Sequence, residues 1–197
     1  MTLPRLCRWW PLQFTKRGFN LAHLKDLMEI FLQPGEIFVA GANFQIRTIL
    51  GSCVSITLWH PKACVGGLSH FLLPTRGFAP PSPDLDGRYG DEALQLMTND
   101  LRSSGVNPQQ CQAKIFGGGN MFPGQPRACA ITVGQRNGEA ARAFLQKQCI
   151  NVVTESLFGV GHRQIIFNVG NGDVWSRQVR TSKQEIAAET AVQGTSK

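Results

Sequence analysis

No two of the six cysteines stand in C-x-x-C spacing, and the four histidines form no close pairs either. Structural zinc sites draw their ligands from such pairs, so the sequence offers no zinc centre. Six thiols in 197 residues are too sparse for a secreted disulfide scaffold, and they read as free thiols in a reducing cytoplasm. No apolar run reaches the 18 or so residues that a spanning helix needs, so membrane insertion is not expected. The start, MTLPRLCRWWPLQFTKRGF, is basic, but proline and charge break its apolar part, which makes a poor signal peptide. A basic stripe on the folded part is missing as well. Of the net charge of +7, residues 1–27 carry +4, from Arg5, Arg8, Lys16, Arg17 and Lys25 against Asp26. An excess confined to a terminal segment argues against nucleic acid as a partner.

What is present is a chain long enough for one ordinary domain with a sizeable core. Residues 1–33 read as a partly flexible N-terminal extension, with Met28 an alternative start. Within it Leu21, Leu24, Met28 and Phe31 stand at helical spacing behind Asn20 as a cap. Residues 34–180 read as the folded domain and 181–197 as a flexible tail. Strands are expected over Ile37–Ala40, Phe44–Leu50, Cys53–Trp59, Cys64–Leu73, Cys111–Phe116, Val152–Glu155, Arg163–Val169 and Val174–Val179, which are rich in Val, Ile and Phe between turn residues. Two helices are expected. One carries Tyr89, Ala93, Met97 and Leu101 on a stripe and stops at Gly105; the other carries Ala140, Ala141, Phe144, Leu145 and Cys149. The class is α+β: antiparallel or mixed sheets flanked by two main helices. Between the strand ending at Leu73 and the first helix, PTRGFAPPSPDLDG holds four prolines, which exclude regular structure and make a surface loop of a length that is often functional and can equally be idle.

The segment GSCVSITLWHPKACVGGLSHFLLP, Gly51–Pro74, carries the chemistry. If Cys53–Trp59 and Cys64–Leu73 form a hairpin turning symmetrically about Pro61 and Lys62, Cys53 falls directly opposite His70 on one face. Ser55 and Thr57 share that face, while Val54, Ile56, Leu58 and Val65 form an apolar one. A thiol beside an imidazole is a nucleophile beside its base: the imidazolium favours the thiolate, and the ring then serves the leaving group and water. Gly51 and Ser52 allow a tight backbone whose N–H groups can receive an oxyanion. The alternative is a buried cysteine acting as a small hydrophobe. FGGGNMF fits neither a P-loop nor a dinucleotide fingerprint and reads as a tight turn after a buried strand, or with Asn120 lining a cleft. His162 reads as a turn or surface residue.

RTILGSCVSITLWHPKACVGGLSHFLLP, GRYGDEALQLM, KIFGGGNMF and VGQRNGEAARAFL, followed by GHRQIIFNVGNGDVW, resemble in order the chemoreceptor glutamine deamidase family of bacterial chemotaxis, CheD. The resemblance covers roughly residues 34–180. It implies a β-sandwich flanked by helices, related to toxin-like cysteine deamidases. It implies a cytoplasmic cysteine hydrolase that converts glutamines of methyl-accepting receptors to glutamates and releases ammonia. The family's nucleophile falls on Cys53, its histidine on His70, and its threonine on Thr48 in RTILGSC. No metal or organic cofactor is implied. The partners implied are receptor cytoplasmic domains and a chemotaxis phosphatase. A non-catalytic adaptor and a receptor methylesterase are the competing readings.

Overall fold

The computed structural model describes residues 27–77, 82–124 and 131–180. Nine strands and two helices follow in chain order: β1 Met28–Phe31, β2 Ile37–Ala40, β3 Phe44–Leu50, β4 Val54–His60, β5 Val65–Ser69, α1 Gly90–Ser103, β6 Gln112–Gly117, α2 Val133–Lys147, β7 Asn151–Leu157, β8 His162–Asn168 and β9 Val174–Val179. They build two mixed sheets. One has strand order β1-β3-β8-β9, the other β2-β5-β4-β6-β7. In each sheet one pair is parallel, β1 with β3 and β6 with β7, and the other pairs are antiparallel. The expected α+β class, with two α-helices among the described residues, is therefore what the chain adopts.

Three layers follow from where the apolar side chains go. Ile46, Leu50, Leu68, Phe116, Ile165 and Phe167 fill the space between the sheets. Val54, Ile56 and Leu58 point the other way, into a second core with Ala93, Leu94, Met97 and Leu101 of α1 and Ala141 and Leu145 of α2. Strand β4 is thus buried on both faces, and Ser55 and Thr57 lie inside the sandwich. The α1 stripe Ala93, Met97 and Leu101 is fully buried as its spacing predicts, and Tyr89 is the N-cap residue.

Three expectations need correction. Met28 and Phe31 are not on a helix. Met28–Phe31 is the edge strand β1, in register with Phe44–Arg47. Pairing with a neighbouring strand overrides local helical spacing, and it draws part of the supposed extension into the sheet. Asn20, Leu21, Leu24 and the 181–197 tail lie outside the described residues, as do Cys7, Cys129, Pro80 and Pro81.

Helix α2 begins earlier than its apolar spacing suggests, behind a capping box in which Thr132 and Gln135 exchange side-chain and backbone bonds. Its other end also differs: Cys149 lies beyond the helix and is exposed.

The hairpin between β4 and β5 does not turn tightly about Pro61 and Lys62. His60 pairs with Val65, which leaves Pro61–Cys64 as a four-residue loop with Cys64 at φ 50. The His60 carbonyl accepts from Cys64 N–H at 3.0 Å, and His60 Nδ1 accepts from Ala63 N–H at 3.0 Å. The register is therefore displaced by two residues. Thr57 pairs with Leu68, and Val54 bridges Phe71. His70 then lies across from Ser55, and Cys53 from Leu72. A slip of one would have reversed every face, whereas a slip of two leaves them unchanged.

Candidate active site

The chain changes sheets between Leu50, the last residue of β3, and Val54, the first of β4. Cys53 sits on that corner, half-buried and packed against the inter-sheet core. The corner is held by its own carbonyls. Gly51 O accepts from Gly119 N–H at 2.9 Å, and Cys53 O accepts from Gly118 N–H at 2.8 Å. Ser52 O, between them, accepts from Asn137 Nδ2 at 3.0 Å. Three successive carbonyls of the nucleophile segment are thus engaged. The Gly117–Gly119 turn that does most of this needs glycine. Gly118 has φ +67, and a Cβ there would lie 2.7 Å from the Gly134 carbonyl oxygen. FGGGNMF is accordingly the tight turn after β6. Asn120 lines a cavity of about 250 Å³ with Gly118, Thr132, Gln135 and Phe158. His162 opens β8, paired with Val179.

His70 follows β5 and is 2% exposed. Its backbone is anchored to the turn before β2: its N–H donates to Glu36 O at 2.9 Å and its carbonyl accepts from Gly35 N–H at 2.7 Å. Its ring reaches across the sandwich to the other sheet, where Thr48 Oγ1 lies 2.7 Å from Nδ1. Thr48 Oγ1 also donates to Leu32 O, at 3.0 Å. A hydroxyl has one hydrogen, and a carbonyl can only accept. The hydroxyl therefore accepts from the ring, Nδ1 carries the proton, and Nε2 presents a lone pair. Nε2 is buried and has no hydrogen-bond partner among the described residues. Thr48 and His70 are thus in direct contact, and Cys53 is not hydrogen-bonded to the ring in this conformation.

Burial sets the charges. Desolvation drives the His70 pKa down to about 4, against smaller opposing effects from the backbone at Leu32 and the charge of Glu36. Burial also raises the Cys53 thiol, although its own backbone N–H partly offsets that. Both shifts favour the uncharged forms. These directions run against the standing imidazolium–thiolate pair that the hairpin reading suggested. What the site holds instead is a thiol and a base with its lone pair free.

Arg163 is a contributor that the sequence did not disclose. It is 4% exposed on β8, opposite Leu50. Its guanidinium donates to Gly117 O at 2.9 Å, Phe158 O at 3.2 Å and Gln178 Oε1 at 3.2 Å. It fastens the end of β6, and with it the turn behind Cys53, to the other sheet. A lone arginine in an alternating strand carries no local mark of burial. Asn137 was hidden for the same reason, since it lies outside the apolar stripe of α2. Among the described residues no cluster of three or more His, Cys, Asp or Glu side chains is placed to hold a metal ion.

The family model for CheD chemotactic sensory transduction matches residues 72–178, more than half of the chain. The chain belongs to the CheD family. It is 63% identical over 159 residues to the probable chemoreceptor glutamine deamidase CheD 2 of Albidiferax ferrireducens, covering 81% of this chain and 92% of that protein. It is 43% identical over 150 residues to the probable chemoreceptor glutamine deamidase CheD 3 of Dechloromonas aromatica, covering 76% and 87%. A third relative, the probable deamidase CheD of Pseudomonas syringae pv. tomato, is 40% identical over 149 residues. The family match begins just after His70. The alignment to the Albidiferax CheD is long enough that, within 197 residues, it must take in Thr48, Cys53, His70 and Asn137.

Proposed function

We propose that this CheD-family chain is a chemoreceptor glutamine deamidase in which Cys53 is the nucleophile, His70 the proton carrier and Thr48 the residue that orients the ring. The observation that carries this reading is the ring itself. His70 is buried, held through Nδ1 by Thr48, and left with an Nε2 that has no partner among the described residues.

The chemistry follows from that protonation state. As Cys53 Sγ attacks the side-chain amide carbon of a receptor glutamine, its proton passes to His70 Nε2 and the carbonyl becomes an oxyanion. The imidazolium returns the proton to the amide nitrogen, the C–N bond breaks, and ammonia leaves a thioester. Water then attacks the thioester carbon while Nε2 takes its proton, the S–C bond breaks, and glutamate and the free thiol are restored. Water is the only co-reactant. Hydrogen bonds between nucleophile and base are commonly long in free enzymes and shorten when substrate binds. Thr48 cannot neutralise the imidazolium as a carboxylate would, so its part is to fix the tautomer and ring orientation. The Cys53 N–H, which has no backbone acceptor among the described residues, is the natural donor for the oxyanion.

Peptide mass spectrometry of a receptor cytoplasmic fragment tests this reading. A gain of acid for amide at specific glutamines with the wild type, absent with Cys53→Ala, is expected. Hydrolysis of a receptor methyl ester with no change at glutamine would instead favour an esterase. A chemotaxis phosphatase as second partner and a cytoplasmic location belong to the same proposal. Co-purification of the phosphatase with Cys53→Ala would separate docking from catalysis.

A further inference from the structure

Asn137 is fully buried on α2, and it spends both of its amide hydrogens on the two segments that carry the reacting groups. Nδ2 donates to Ser52 O at 3.0 Å and to Leu72 O at 2.8 Å. These carbonyls belong to the residue before the nucleophile and to the second residue after His70. They lie just beyond the last backbone pair of this ladder, where Val54 and Phe71 exchange bonds of 3.1 and 3.0 Å. The side chain continues the ladder by one rung where no backbone pairing remains.

The consequence comes from peptide planarity. In a trans peptide the carbonyl of one residue and the N–H of the next point in opposite directions. Holding Ser52 O toward α2 therefore turns the Cys53 N–H away from α2. Among the described residues that N–H has no backbone acceptor. The flanking carbonyls, Gly51 O and Cys53 O, are held by the glycine turn, so only the central peptide depends on a side chain. The helix comes close enough for this because it presents glycine on the same side. A Cβ on Gly134 would strike the Gly118 carbonyl, and one on Gly138 would lie 2.7 Å from the Phe158 ring.

We propose that Asn137 is a positioning residue: it sets the Ser52–Cys53 peptide so that the Cys53 N–H meets the developing oxyanion, and it locks the nucleophile segment to the histidine segment. This rests on the Cys53–His70 reading of the site. The role is mechanical and electrostatic, and Asn137 itself touches no reacting atom. Its Oδ1 is buried and without a partner among the described residues, so its amide acts here through the two bonds that Nδ2 donates.

The test uses the full chain and a receptor cytoplasmic fragment, with deamidation followed by mass spectrometry at a temperature where each variant is folded by circular dichroism. Asn137→Asp keeps the shape and loses the donors, while Asn137→Ala loses both. Each is expected to lower kcat by roughly 10- to 100-fold, the scale of a misplaced reacting group, with KM changed less than about twofold. Leu145→Ala removes a buried core side chain from the same helix and serves as the stability control, expected to lower Tm while kcat holds. A wild-type kcat in the folded Asn137 variants, a loss confined to KM, or an equal kcat loss in Leu145→Ala would each overturn the proposal. Deamidation that persists in Cys53→Ala removes the underlying reading and this inference with it. An inactive Cys53→Ala beside a fully active Asn137→Asp removes the inference alone.

Discussion

Thr48 and His70 meet across the sandwich, Oγ1 to Nδ1 at 2.7 Å, although one belongs to the four-stranded sheet and the other follows a strand of the five-stranded sheet. The contact ties the two layers at the point where the chain crosses between them at Cys53. It also explains why a threonine suffices. Its single proton is committed to Leu32 O, so its lone pair must face the ring. Thr48→Val keeps the shape and removes both bonds. Deamidation is expected to fall by on the order of 10- to 100-fold, and urea titration to show about 1–3 kcal/mol lost from an unsatisfied buried Leu32 carbonyl and ring N–H. Thr48→Ser should recover most of the activity. An unchanged rate in Thr48→Val would remove threonine from the site.

The buried imidazole also predicts a pH dependence of stability. His70 has a folded pKa of about 4, below the ordinary value near 6.5, so the unfolded chain binds the extra proton first. The contribution of neutral His70 is fully present above about pH 6.5 and is lost as pH falls toward 4. The limiting size is roughly 3 kcal/mol, at about 1.4 kcal/mol per pKa unit. Urea midpoints between pH 7 and 4 should therefore slope less steeply in His70→Gln than in the wild type. Parallel slopes would show that the histidine is not held neutral.

Cys53 should be a slow thiol in the absence of substrate. Burial raises its pKa, so iodoacetamide labelling at Cys53 is expected to be weak at pH 7 and to climb with pH through and beyond the ordinary thiol range. Peptide mapping can compare it with Cys149, which is exposed. Faster labelling of Cys53 than of Cys149 at pH 7 would mean a standing thiolate and contradict the neutral pair.

Arg163 is expected not to tolerate lysine. Its planar fork spans three oxygens from separate segments, a reach that one ammonium lacks. Arg163→Lys should cost about 1–3 kcal/mol in urea unfolding and slow deamidation by loosening the Gly117–Gly119 turn. Wild-type stability in that variant would show that the three bonds are individually dispensable.

Gly118→Ala combines a left-handed backbone with a Cβ 2.7 Å from the Gly134 carbonyl oxygen. A loss of roughly 1–3 kcal/mol is expected from the backbone conformation and the crowding together. Activity should fall with it, since Gly118 N–H holds the Cys53 carbonyl. Thermal melts and deamidation rates on the same preparation would check both.

Most of what is local could be read from residues alone. The Val-, Ile- and Phe-rich runs between glycines marked eight of the nine strands, and the Ala93–Met97–Leu101 stripe marked the buried face of α1. The exception, Met28–Phe31, carries helical spacing and no strand alternation, and it becomes a strand because Phe44–Arg47 lies beside it. Period-two alternation put Cys53 and His70 on the same face, and that survives the corrected register because the loop at Pro61–Cys64 added an even displacement. Side-chain direction along a strand is a local property and needs no knowledge of neighbours.

Charge state and mutual orientation are different in kind, since they depend on what covers a group. Nothing in LGSC or GLSH says that both segments sit against the space between two sheets, yet that burial pushes the thiol and the imidazole toward their neutral forms. The contacts that complete the site join residues far apart in the chain: Thr48 to His70, Arg163 to Gly117, and Asn137 to Ser52 and Leu72. Such contacts exist only after strands from both sheets and a helix have packed, because a hydrogen bond needs its partners within about 3 Å whatever their separation in sequence. The sequence by itself thus determined which groups can react and on which side of the strand they lie. The tertiary structure decided their protonation, their orientation and the peptide N–H groups they face.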